Sequence, residues 1–168
     1  MLQVSLDTSF LISFADSGRA NHAAAVDYFR HCLSQRIPMI ISTVAAGEFE
    51  VGQPVSDLPL QNFRIQPYNL PHAIRAAAFL RNLRQSSEPP LEERRPVIIN
   101  DLKILAQAEE EEIPIIMTED RNTLWKIAAR LGPQCRVRGL LLAEGFTPNR
   151  LVNPDQGELS LSLTEETP

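Results

Sequence analysis

Four acidic side chains fall where isolated carboxylates are hard to explain as surface decoration. Asp7 ends the apolar run Leu2-Gln3-Val4-Ser5-Leu6, and Asp120 follows Ile115-Ile116-Met117-Thr118. Glu48 lies just past Met39-Ile40-Ile41, and Asp101 sits inside the amphipathic stretch from Val97 to Ala108. Three of the four therefore come at or shortly after the C-terminal end of a candidate buried strand, the edge at which open parallel α/β sheets bind ligands. Carboxylates gathered there repel one another unless a cation holds them. The chemistry that follows is a divalent-metal site acting on phosphate.

Each acid also has a plainer explanation. Asp7 can cap a helix that starts at Thr8, Asp101 can complement the positive end of its own helix, and Asp120 can close a turn before a helix at Asn122. Glu48 competes with Glu50 for the inward position; it shares a helix side with Val44 and Val51, which leaves Glu50 to solvent. Four separate caps, however, have no need to converge.

The elements that must position these groups alternate between apolar runs and amphipathic helices, the pattern of an α/β fold with a parallel sheet. Strands are expected over 2–6, 39–41, 63–66, 113–117 and 136–142. Helices are expected over 8–14, 23–33 with Asn21 as N-cap, 44–51 capped by Ser42 or Thr43, 70–83, 98–111 and 122–131, the last ended by Gly132-Pro133. Val26, Phe29 and Leu33 form the apolar stripe of the second helix; Ala73, Ala76, Ala77, Leu80 and Leu83 form that of the fourth. Residues 52–62 and 85–96 read as loops, the second long enough to be mobile. After Ala143 the chain turns acidic, and Leu159-Ser160-Leu161-Ser162-Leu163 alternates at strand period. The division is a domain over 1–142 and an acidic extension over 143–168.

A chain of 168 residues that is 43% hydrophobic and 22% charged suits one domain with a sizeable core. Its net charge of -5 argues against coating nucleic acid by bulk electrostatics, although a local basic patch remains open. Of 16 basic residues only Lys103 and Lys126 are lysines, a bias that fits phosphate recognition but equally fits genome composition. Cys32 and Cys135 form neither metal spacing nor a disulfide framework and are expected to pack as small hydrophobes. His22, His31 and His72 also lack ligand spacing, Trp125 reads as core, and the run Glu109 to Glu112 reads as a solvated helix end. No apolar stretch reaches the ~18 residues of a membrane span and no basic leader opens the chain, so a cytoplasmic location is expected.

The order and spacing of the acids resemble the PIN-domain family, and are similar to the VapC-type toxins of bacterial toxin–antitoxin pairs, over roughly residues 2 to 142. The matching pieces are Leu6-Asp7-Thr8-Ser9-Phe10-Leu11-Ile12, Ile41-Ser42-Thr43 with Gly47-Glu48-Phe49, Asn100-Asp101-Leu102-Lys103-Ile104-Leu105-Ala106-Gln107-Ala108, and Thr118-Glu119-Asp120. The resemblance implies a three-layer α/β/α fold with a central parallel sheet in the order 3-2-1-4-5. It also implies a ribonuclease site in which Asp7, Glu48, Asp101 and Asp120 act with Mg²⁺ or Mn²⁺. Asp7 would be the central ligand, Asp101 and Asp120 direct or water-mediated ligands, and Glu48 the holder of a coordinated water or of a second ion. Thr8, Ser9, Thr118 and Asn122 would orient the carboxylates, while Arg94, Arg95 and Arg121 would contact RNA phosphates. An antitoxin and a second copy of the chain are the implied protein partners. The chain departs from the family at Asn122, where many relatives carry another acid, and at Thr123-Leu124, where an aromatic often stands. A PIN-like module that binds RNA or protein without cutting is the alternative.

Overall fold

The computed structural model describes residues 1–91 and 94–151. Five strands form one parallel sheet in the order β3-β2-β1-β4-β5: β1 (Val4–Leu6), β2 (Met39–Ser42), β3 (Arg64–Gln66), β4 (Ile115–Thr118) and β5 (Arg138–Leu141). The register sets Leu6 beside Ile41 on one side and Met117 on the other. The sheet is thus the three-layer, 3-2-1-4-5 arrangement expected from the sequence, with helices packed against it.

The central strands β1, β2 and β4 are buried throughout, which explains their continuous rather than alternating apolar character. Val4, Leu6, Ile41, Ile115 and Ile116 are fully enclosed, each contributing roughly 1.5–3 kcal/mol by leaving water. Edge strand β3 is exposed at Arg64 and Ile65, as a short edge can be.

The helices are α1 (Thr8–Ala15), α2 (His22–Gln35), α3 (Thr43–Gly52), α4 (Leu70–Gln85), α5 (Arg95–Glu110) and α6 (Leu124–Leu131). Helix α3 is capped by Ser42, whose hydroxyl accepts from Val44 N at 3.1 Å. Gly132 closes α6 at φ +50°, a conformation that favours glycine.

Several local expectations need correction. Asn21 occupies the N-cap of α2 without a capping hydrogen bond; its amide instead reaches Glu119. In α2 the buried stripe is Ala25, Tyr28 and Cys32, one position before the expected one, and Leu33 is exposed. In α4 the enclosed residues are His72 and Phe79, while Ala77 faces out. Helix α5 begins inside the expected loop, because Pro96 stands in the first turn, where a missing N–H costs no hydrogen bond. That loop is tied to α6 by Arg130, which pairs with Glu88 and donates to the Pro89 carbonyl at 2.8 Å.

The glutamate run is not a solvated end either. Glu109 is buried and accepts from Arg136 N and Nε, Glu110 pairs with Arg75, and Glu111 accepts from His72, so three of the four are structural. Trp125 is half-buried and packs so closely on Gly139 that a Cβ there would stand 2.7 Å from the indole. Both cysteines are buried and free, their thiols pushed up to about 12 chiefly by burial.

Beyond Ala143, residues as far as Leu151 lie on the body. The Tyr28 hydroxyl donates to the Gly145 carbonyl and accepts from Thr147 N, and Leu151 is buried. The expected alternation at Leu159, Leu161 and Leu163 lies outside the described residues. Among the described residues, no helix is long and apolar enough to cross a membrane.

Candidate functional site

The connections leave β1 and β4 at the same edge of the sheet, and Asp7 and Asp120 follow those strands directly. Asp7 is 4% exposed and stands at the N-cap of α1 without closing a capping bond with its side chain. Its Oδ2 instead accepts from Ser9 Oγ at 2.6 Å and from Thr118 Oγ1 at 2.8 Å. The Thr118 hydroxyl also accepts from Asp120 N at 2.9 Å, so a single side chain links the ends of both strands. Burial raises the Asp7 carboxyl above the usual carboxylate range, and the two hydroxyls oppose that rise.

Glu48 projects from α3 toward the same edge. Its Oε2 accepts from Thr8 Oγ1 and its Oε1 from Asn100 Nδ2, each at 2.6 Å. Glu50 is exposed and accepts from Val55 N, so Glu48 is the inward residue. The supporting reason given for it fails at one end, since Val51 is 89% exposed.

Asp101 lies one residue along α5 from Asn100 and is 7% exposed. Its Oδ2 is buried with no hydrogen-bond partner among the described residues. Its carboxyl is pushed up to about 8, first by burial and then by the charge of Asp7, with Asp120 and Glu48 adding further repulsion; the nearby Thr123 hydroxyl opposes them. The four acids therefore share one electrostatic neighbourhood, and none of the ion pairs described in the molecule reaches any of them.

Asp120 fills its plainer role as well. Its Oδ1 accepts from Asn122 N at 2.8 Å and Thr123 N at 2.9 Å, and its Oδ2 accepts from the Thr123 hydroxyl. Among the described residues, no three acidic, imidazole or thiol side chains are gathered into a ready-made cage for an ion.

Of the expected supporting residues, Thr8, Ser9 and Thr118 meet the acids, but Asn122 contributes its backbone N–H and its side chain is exposed. Thr123, fully buried between Asp120 and Asp101, takes that place. An aspartate that hydrogen-bonds the backbone two and three residues on is a local turn signal, and it brings Thr123 to Asp120. Asn100 and Glu119 also join the network, although neither stands out in the sequence. Glu119 accepts from Ser13 Oγ and Asn21 Nδ2, both at 2.7 Å, and pairs with Arg19, pinning the turn between α1 and α2 to the end of β4. Arg94 and Arg95 are exposed at the start of α5. Arg121 instead pairs with Glu144 at 3.3 Å and lies over the Trp125 ring.

The sequence matches the family model described as PIN domain over residues 4–130. Solved structures share the fold at low sequence identity. The FitAcB complex of Neisseria gonorrhoeae aligns at a TM-score of 0.59 with 15% identity, covering 84% of this chain and 99% of that one. VapBC2 of Rickettsia felis, solved bound to a DNA fragment from its promoter, aligns at 0.58 with 13% identity over 83% and 98%. VapC20 of Mycobacterium tuberculosis, described as a Sarcin-Ricin loop cleaving toxin, aligns at 0.52 with 16% identity over 81% and 99%. No curated protein matches the sequence.

Proposed function

The chain belongs to the PIN domain family, and from that premise we propose that it is a metal-dependent endoribonuclease that hydrolyses RNA phosphodiester bonds and serves as the toxin of a toxin–antitoxin pair. The observation that carries this reading is Asp101: a buried carboxylate with an unpartnered oxygen, three acids acting on it and no described cationic partner. A purely structural network would pair that oxygen, because a buried polar atom left without a partner is costly.

The donor set fits Mg²⁺ or Mn²⁺. Every candidate ligand is a hard carboxylate oxygen, and Asp7, Asp101 and Asp120 would hold the ion. A divalent cation there supplies Lewis acidity toward water and phosphate oxygens. The chain's own residues do the rest. Ser9 and Thr118 fix the Asp7 carboxylate, Thr123 orients Asp101 and Asp120, and Glu48 orients the attacking water and accepts its proton. Arg94 and Arg95 bind RNA phosphates flanking the cut, joined by Arg121 once it leaves Glu144. The unit over residues 1–142 carries this site, residues 143–168 form an acidic extension, and an antitoxin and a second copy of the chain are its partners, a reading supported by the fold shared with VapBC2.

One observation favours the second reading, a PIN-like module that binds RNA or protein without cutting. Both Asp120 oxygens are occupied by the turn at Asn122 and Thr123, which competes with ligation. Cleavage of single-stranded RNA by the wild-type chain and by Asp7→Asn, each with Mn²⁺ and with a chelator, separates the two. Cutting that needs Mn²⁺ and vanishes in Asp7→Asn supports the nuclease; equal cutting by both proteins rules this site out.

A further inference from the structure

Glu48 is the one acid of the four whose two oxygens are each held by a side chain from a different helix. Thr8, next to Asp7, donates to Oε2, and Asn100, next to Asp101, donates to Oε1. The two bonds span 40 and 52 residues of sequence, so they fix α3 against both α1 and α5. An amide can approach a carboxylate at 2.6 Å only through its N–H side, which defines the orientation of the Asn100 amide.

The electrostatics make Asn100 more than a strut between helices. Glu48 adds to the repulsion felt by Asp101, so an unrestrained Glu48 would swing away from the acids toward solvent. A neutral donor opposes that escape without cancelling the charge, whereas a lysine or arginine in its place would neutralise the pocket. We propose that Asn100 is a positioning residue, which with Thr8 holds the Glu48 carboxylate facing Asp7 and Asp101 so that the pocket keeps the ionic geometry a divalent cation requires. This rests on the metal-dependent reading above.

A mere strut would lower the melting temperature but leave the Mn²⁺ affinity of the folded protein unchanged. The test is a double-mutant cycle read by Mn²⁺ titration calorimetry, with the melting temperature of each metal-free protein as the control for folding. Asn100→Ala should weaken Mn²⁺ binding by about 10-fold in the native background, the scale of lost outer support for a ligand. In the Glu48→Ala background the same change should cost less than about twofold, since there is no carboxylate left to hold. RNA cleavage should follow, with kcat lowered and KM unchanged. Thr8→Val should show the same dependence on Glu48, which keeps the test open if Asn100→Ala fails to fold. An equal loss of Mn²⁺ affinity in both backgrounds, or none in the native one, overturns the role of Asn100 while leaving the nuclease reading intact. A wild-type chain that binds no Mn²⁺ overturns both.

Discussion

Two ends of the same sheet are rich in acids, and they are built in opposite ways. At the N-terminal end, Glu109, Glu110 and Glu111 each meet a basic group: Arg136, Arg75 and His72. At the C-terminal end, Asp7, Glu48, Asp101 and Asp120 meet only neutral donors, namely Ser9, Thr118, Thr8, Asn100, Thr123 and backbone N–H groups. In the linear sequence the first group is the denser and draws the eye. In space the informative property is that, among the described residues, no counter-charge meets these acids, so their mutual repulsion is left standing.

The comparison breaks most visibly through activity. Asp101→Asn should lower metal-dependent RNA cleavage by roughly 100-fold or more, the scale expected when a main electrostatic contributor is lost. Retention of wild-type rates would move the site elsewhere. Glu109→Gln, at the paired end, should leave cleavage unchanged.

Stability should then separate the two ends in sign. Asp101 has its carboxyl raised in the fold from 3.8 to about 8, so between those values the folded chain holds a proton the unfolded chain has released. The Asp101 contribution to metal-free stability is therefore greatest below the lower value and falls as pH rises toward about 8, by an amount on the order of several kcal/mol. Melting curves from about pH 4 to pH 8 should show this decline, Asp101→Asn should flatten it, and saturating Mn²⁺ should reverse it. A flat profile in the wild-type chain would mean that Asp101 is not buried as described.

At the other end, Glu109→Gln should destabilise the chain by about 1.5–3 kcal/mol at neutral pH, because it weakens charged hydrogen bonds to Arg136 in a buried setting. Chemical denaturation reads this directly, and a gain in stability would place Glu109 with the unpaired acids instead. The smallest effect is expected at Glu112, where the backbone has φ +54°. Glu112→Gly should relieve that strain and stabilise by less than about 1 kcal/mol, with unchanged Mn²⁺ binding.

Much of this was legible in one dimension. Continuous apolar runs marked β1, β2 and β4 because both of their faces are covered, and acids near their ends marked the edge at which the four carboxylates gather. The phase of the helices was less legible: in α2 the stripe Val26, Phe29 and Leu33 is the more apolar, yet Ala25, Tyr28 and Cys32 are buried, because Tyr28 is held by Gly145 and Thr147, which the sequence does not announce. Long-range polar partners were legible only where the family resemblance pointed to them, as with Thr8 and Glu48 or Thr118 and Asp7. Nothing in the neighbourhood of Glu109 announces Arg136, 27 residues away, and nothing around Asn21 announces Glu119 across 98. The nearest exception is Thr123, whose spacing from Asp120 carried a local signal.

The Thr118 hydroxyl that donates to Asp7 bridges 111 residues of chain. During synthesis, strands β1 and β2 can pair early, but Asp7 gains its second donor and its neighbour Asp120 only once β4 has been made and inserted beside β1. Contacts of such long sequence separation form late in folding. A nascent or truncated chain that ends before Thr118 therefore carries the first aspartate without the pocket, and the four acids come together only with the last of the central strands.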